Sequence, residues 1–180
     1  PLTAGGRNGL VKAGLGTLVL TGNNTYTGPV VVSGGSLSVT RINDFATPGP
    51  LGMQNVPVSN PFNNLVIANA TLQYTGNTSE SNRGFKVNER ATVEVGLKGS
   101  NLVISGTLSG GDGAAAGTLI KNGSGEFTIS RKAVWNGTTF TVTGGATNIG
   151  GFEVNDSILR LQYDNANSHS TVGVDNRFAP

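Results

Sequence analysis

Residues 10–31 read LVKAGLGTLVLTGNNTYTGPVV, and residues 119–140 read LIKNGSGEFTISRKAVWNGTTF. At a constant offset of 109, Leu10, Lys12, Gly14, Gly16 and Gly28 fall on Leu119, Lys121, Gly123, Gly125 and Gly137. Tyr26 falls opposite Trp135, and one inserted residue later Gly34-Gly35 match Gly144-Gly145. The two copies occupy 10–39 and 119–148. A Greek-key sandwich has no cause to repeat one strand–turn–strand unit after 109 residues. A stack of coils does, because each coil rests on a neighbour of its own shape and buries what it cannot bury alone. The expected fold is all-β, a parallel β-solenoid in a single stack through residues 1–180.

The rest of the chain agrees with that expectation. Of 180 residues, 82 are Gly, Asn, Thr or Ser, and residues that favour helix are too sparse and too often broken by Gly to build one. Short apolar blocks recur about every ten residues, the spacing of sandwiches, barrels and solenoids. They stand at 18–20, 30–32, 37–39, 65–67, 71–74, 85–87, 92–95, 102–104, 119–120, 127–129, 139–142, 152–154 and 158–161. Many alternate apolar with polar, as a strand with one buried face does. The segments 44–62 and 163–180 lack this pattern, and 44–62 is read as a loop excursion. At ~20 residues per coil the chain would make about nine coils. A spacing of ~4.8 Å then predicts a rod of roughly 40 Å, with a thin aliphatic core free of large aromatics. Both its ends would be open sheet edges unless more chain covers them, as in a segment of a longer rod.

Several classes are excluded. There is no Cys, hence no disulfide framework and no thiolate metal site. No apolar run approaches the ~18 residues that span a membrane, and no charged-then-apolar N-terminus reads as a signal peptide. The net charge of +2 comes from few, scattered charges, so it gives no sign of nucleic acid, and none is expected as a partner.

The first copy, from Leu10 through Gly28 and on to Val30-Val31-Val32-Ser33-Gly34-Gly35-Ser36-Leu37, resembles the autotransporter-associated β-strand repeat of bacterial surface proteins. That pattern is a leucine-x-Lys-x-Gly-x-Gly-Thr-Leu run, then Asn-Thr-Tyr-Thr-Gly, a short strand and a Gly-Gly-x-Leu turn. The stretches Leu72-Gln73-Tyr74-Thr75-Gly76, Arg83-Gly84-Phe85 and Leu102 to Gly110 are similar to the same passengers. The second copy departs from the pattern, because Arg131-Lys132-Ala133-Val134-Trp135 replaces the Gly-Asn-Asn-Thr-Tyr turn. The resemblance implies a right-handed parallel β-helix, exported across the outer membrane by a C-terminal β-barrel. No such barrel is seen here, so the chain is expected to be an excised part of a passenger.

Constellations that could carry chemistry are few. His169, the lone histidine, sits in Ser168-His169-Ser170, where neighbours on a strand point to opposite faces; it reads as an exposed loop residue. Gly111-Asp112-Gly113-Ala114 mimics a dinucleotide loop, but Gly117-Thr118-Leu119-Ile120 after it reads as a strand, not the helix a phosphate site needs. Gly110-Gly111-Asp112-Gly113 makes a single imperfect copy of a calcium-binding β-roll motif, which needs tandem repeats. Paired carboxylates could serve a glycosidase. The best clusters are Glu153 and Asp156 near Arg160, and Glu89 and Glu94 near Arg90 and Lys98, which salt-bridged outer faces explain equally well. Tyr26, Trp135, Tyr74 and Tyr163 are read as surface aromatics, either platforms for sugars or, for Tyr26 and Trp135, lids over a corner. Six sequons such as Asn23-Asn24-Thr25 are expected by chance in an Asn/Thr-rich chain.

The functional expectation is a non-enzymatic, surface-displayed rod without cofactor or metal, supporting attachment. Its partners would be neighbouring coils of the same protein and a host-cell, glycan or self-association partner, with no membrane insertion by this segment. A subunit of an extracellular filament is the second reading, and a carbohydrate-active or carbohydrate-binding β-helix the third.

Overall fold

The computed structural model describes residues 8–54, 65–110, 117–135, 140–147, 149–163 and 169–173, and these contain strands and no helix. The strands are β1 (Leu10–Lys12), β2 (Thr17–Leu20), β3 (Val30–Val32), β4 (Ser36–Val39), β5 (Leu65–Tyr74), β6 (Ser79–Ser81), β7 (Phe85–Val95) and β8 (Asn101–Ile104). There follow β9 (Thr107–Ser109), β10 (Thr118–Asn122), β11 (Glu126–Trp135), β12 (Phe140–Thr147), β13 (Gly151–Val154), β14 (Ile158–Tyr163) and β15 (His169–Gly173).

Nearly all pairing is parallel between successive coils. The first face stacks β1, β3, the starts of β5 and β7, β9 and the end of β12. The second face stacks β2, β4, the ends of β5 and β7, β10 and β13. The third stacks β6, β8, β11 and β14. Alternation along each strand sends one set of side chains inward. Leu18, Leu37, Leu72, Val93, Lys121 and Val154 form one register column, and Leu10, Val30 and Leu65 begin another. The resulting core is continuous from Val30 to Leu159.

Four features differ from expectation. Register partners in the Leu18 column lie 19 to 35 residues apart, so six levels, not nine, stand on the first and second faces among the described residues. Excursions at the corners consume the extra chain. The blocks 65–67 and 71–74 form one strand, as do 85–87 and 92–95. Each of these strands turns its corner at a residue with positive φ, Asn69 (48°) and Glu89 (54°), where the register also shifts. The core also holds large aromatics: Phe85 and Phe127 stack with centroids 6.4 Å apart, and Tyr26 and Tyr74 are almost wholly buried. Finally, among the described residues two strand pairings are antiparallel, β11 with β12 and β14 with β15. Of the excursion 44–62, the described part 44–54 joins the stack through the isolated bridge Asn24↔Gly49, and 55–62 lies outside the described residues.

Candidate functional site: repeat corners and outer ladders

The repeated spacing Leu-x-Lys-x-Gly-x-Gly builds a corner. Leu10 and Lys12 point inward while Val11 points out. The Lys12 side chain then turns to the bend, where its Nζ donates to the carbonyls of Ala13 (3.1 Å), Gly14 (2.8 Å) and Gly34 of the next coil (2.9 Å). Gly14 and Gly16 adopt φ of 70° and 88°, and Gly35 one of 61°. A Cβ on Gly35 would lie 2.3 Å from the Gly16 carbonyl oxygen. Coil stacking therefore leaves no room for a side chain there.

The second copy builds the same device. Lys121, wholly buried, donates from Nζ to Asn122 O (2.6 Å), Gly123 O (2.7 Å) and Asp156 O of the next coil (3.4 Å). Burial pushes its ammonium down to about 8, against the opposing pull of Asp156 and Glu94. Gly123 has φ of 80°, and a Cβ on Gly125 would lie 2.6 Å from Leu97 O. Yet the copies sit in different phases: β1 lies on the first face, and β10 on the second. The repeat encodes a strand–corner–strand unit, not a fixed position around the coil.

That shift breaks part of the sequence correspondence. Gly34 and Gly35 form the bend between β3 and β4, whereas Gly144 and Gly145 lie within β12, where antiparallel pairing to β11 gives way to parallel pairing to β9. Tyr26 lies in an irregular segment, whereas Trp135 ends β11 opposite Phe140, and Gly137 is outside the described residues. Gly28 donates its N–H to Asn8 O at 3.1 Å.

Tyr26 and Tyr74 are not surface platforms. The Tyr26 ring packs on Gly52 under the 43–54 segment, its hydroxyl donates to Pro50 O at 3.3 Å, and burial pushes its pKa up to about 12. The Tyr74 hydroxyl lies 2.5 Å from Asn77 O and 2.7 Å from Ser79 Oγ. Above Tyr26 sits Arg83, a residue that spacing did not single out for a role. Buried to 2% exposure, it donates to Asn43 O (3.0 Å), Leu51 O (3.0 Å), Gln54 Oε1 (2.5 Å), Asp44 O (3.3 Å) and Gly52 O (3.0 Å). Desolvation lowers its pKa to about 10. The guanidinium fork thus staples the excursion to the stack.

The acids form rungs on the outside. Glu153 pairs with Arg90 (2.8 Å), not with Arg160 as its sequence neighbourhood suggests, and Arg160 pairs with Glu126 (3.2 Å). The Arg90 and Asn155 hydrogen bonds hold Glu153 below its usual carboxylate range. Glu94 accepts from Gln73 (3.1 Å) and Glu89 from the Asn69 amide. Stacking brings partners together from 20 to 63 residues apart, which spacing cannot reveal. Among the described residues no three His, Cys, Asp or Glu gather to hold a metal ion. His169 stands opposite Gln162 in β15, and residues 111–116 lie outside the described set.

Residues 10–39 match the passenger-associated-transport-repeat family. Over 143 residues, 74% of this chain, the sequence is 36% identical to a protein described as the adhesin BmaC autotransporter of Brucella suis biovar 1 (strain 1330). The match spans 4% of that protein's length. No solved structure matches the chain.

Proposed function

This chain belongs to the autotransporter passengers that carry the passenger-associated transport repeat, and from that premise we propose that it is a rigid, non-enzymatic section of an adhesive rod. By that membership it is an exported, cell-surface protein. In this reading the coils wind right-handedly in one stack, joined above and below to further coils of the same protein, and the rod supports attachment to a host cell. The observation that carries the reading is the unbroken parallel register through six levels of the first and second faces. Bending the stack at any level would have to open backbone ladders on several faces together. The relative's description as an adhesin supports attachment. The carboxylates already held in outer rungs, Glu153, Glu126, Glu94 and Glu89, favour a structural use of these acids.

The test is an in-frame deletion of residues 8–173 in the full-length protein on its own cells, with surface display checked by antibody. Attachment to host cells should fall while display persists. Unchanged attachment would overturn the adhesive role. Small-angle scattering of the chain should give an elongated particle, and a sphere-like profile would overturn the rod.

A further inference from the structure

The outer side of the second face holds a feature that the rod alone does not require. At one register position the outward residues on successive levels are Ser36, Thr71, Thr92 and Ile120. With Asn69 and Arg90 they line a shallow groove of about 410 Å³. None of the three hydroxyls is hydrogen-bonded to another described residue, although each residue is half-buried. At one end of the groove the Arg90–Glu153 pair, at 2.8 Å, bridges from the fourth level to the sixth.

We propose that this groove binds a neutral glycan chain lying along the rod axis; the proposal rests on the adhesive reading and names its ligand class. A hydroxyl both donates and accepts, so Ser36, Thr71 and Thr92 complement sugar hydroxyls, which do the same, and Asn69, whose amide nitrogen bonds Glu89, adds its carbonyl oxygen as an acceptor. Ile120, on the same outward register, adds an apolar lining residue beside these few polar groups, the mixture typical of ligand sites. Three coil steps from Ser36 to Ile120 extend ~14 Å, the reach of a short oligosaccharide. Because hydroxyls recur on the three successive levels of Ser36, Thr71 and Thr92, a periodic ligand meets similar chemistry at each of them. Charge selects against acidic sugars. Arg90, the charged residue of the lining, is already matched by Glu153, which leaves no free cation there among the described residues to hold a uronate or sulfate.

The purified chain is titrated calorimetrically with β-glucan, α-mannan and polygalacturonate hexasaccharides, alongside the double variant Thr71→Val/Thr92→Val. Valine keeps the β-branched shape and removes only the hydroxyls. At least one neutral hexasaccharide should bind, and the double variant should bind it at least tenfold more weakly with an unchanged circular dichroism spectrum. If the double variant loses its fold, Ser36→Ala makes the same comparison, with a severalfold loss expected. No binding of either neutral chain, equal binding by the folded variant, or preference for polygalacturonate would overturn the groove. Any of these beside intact host-cell attachment sinks the groove alone, whereas unchanged attachment in the deletion strain sinks the adhesive reading.

Discussion

Lys121 shares an inward column with Leu37, Leu72 and Val93, where desolvation penalises a charge and three carbonyls compensate for it. Its ammonium, lowered to about 8, dictates a pH response. Below pH 8 folded and unfolded chains both carry the proton, and the burial penalty stands in full. From about pH 8 to 10 the folded state loses its proton first, the unfolded state holds more protons, and stability rises with pH. Chemical denaturation of the natural chain and of Lys121→Met should therefore show a stability difference that shifts in favour of the natural chain across that window. A difference flat in pH would contradict the assignment. The corner glycines separate strain from crowding. Gly99 and Gly35 both have positive φ, but a Cβ on Gly99 meets nothing within 4 Å, while one on Gly35 meets backbone at 2.3 Å. Gly99→Ala should cost about 1–2 kcal/mol, the left-handed penalty alone, and Gly35→Ala clearly more, read from urea unfolding midpoints.

At the scale of elements, the segment 43–54 shows how an insertion is accommodated. It adds no strand, yet its carbonyls converge on Arg83, and Asn82 bonds to two of its residues, accepting from Phe45 N at Oδ1 (2.7 Å) and donating its own N–H to Asp44 Oδ1 (2.9 Å). Each buried carbonyl left without its donor costs about 1–3 kcal/mol, so Arg83→Met should destabilise the chain by at least ~3 kcal/mol. Limited proteolysis should then cut first within 41–54, whereas the natural chain resists there; identical cleavage patterns would refute the staple. The continuous strands β5 and β7 rely on the opposite device. A single left-handed residue, Asn69 or Glu89, turns each corner without a loop, and the side chains of the two bond across coils. Neither residue is the glycine that a sequence pattern would seek at such a bend, so the sequence shows each corner only as a break between two apolar blocks.

For the whole molecule, stability is expected to reside in the aliphatic columns. Leu72 is fully buried with coils above and below, so Leu72→Ala should cost ~2–5 kcal/mol. Leu18, half-buried at the first level, should cost less, and amide exchange should be slowest at the levels of β5 and β7. The outer rungs Arg90–Glu153 and Arg160–Glu126 stand where water and salt screen them, so raising salt to 1 M should move the unfolding midpoint far less than Leu72→Ala does. Strand alternation and the Lys-x-Gly-x-Gly unit were legible from residues 10–39 and 119–148, because period-2 burial and left-handed bends are local requirements that a short stretch must meet by itself. Those local rules determined an all-β chain of stacked coils with lysine-held corners. Tertiary structure alone decided how many levels form, that the second copy stands one face on from the first, that Tyr26 lies beneath an Arg83-stapled segment, and that Arg90 meets Glu153. Each of these depends on how much chain is spent in corners between register partners, a length that backbone pairing sets only once the coils have closed on one another.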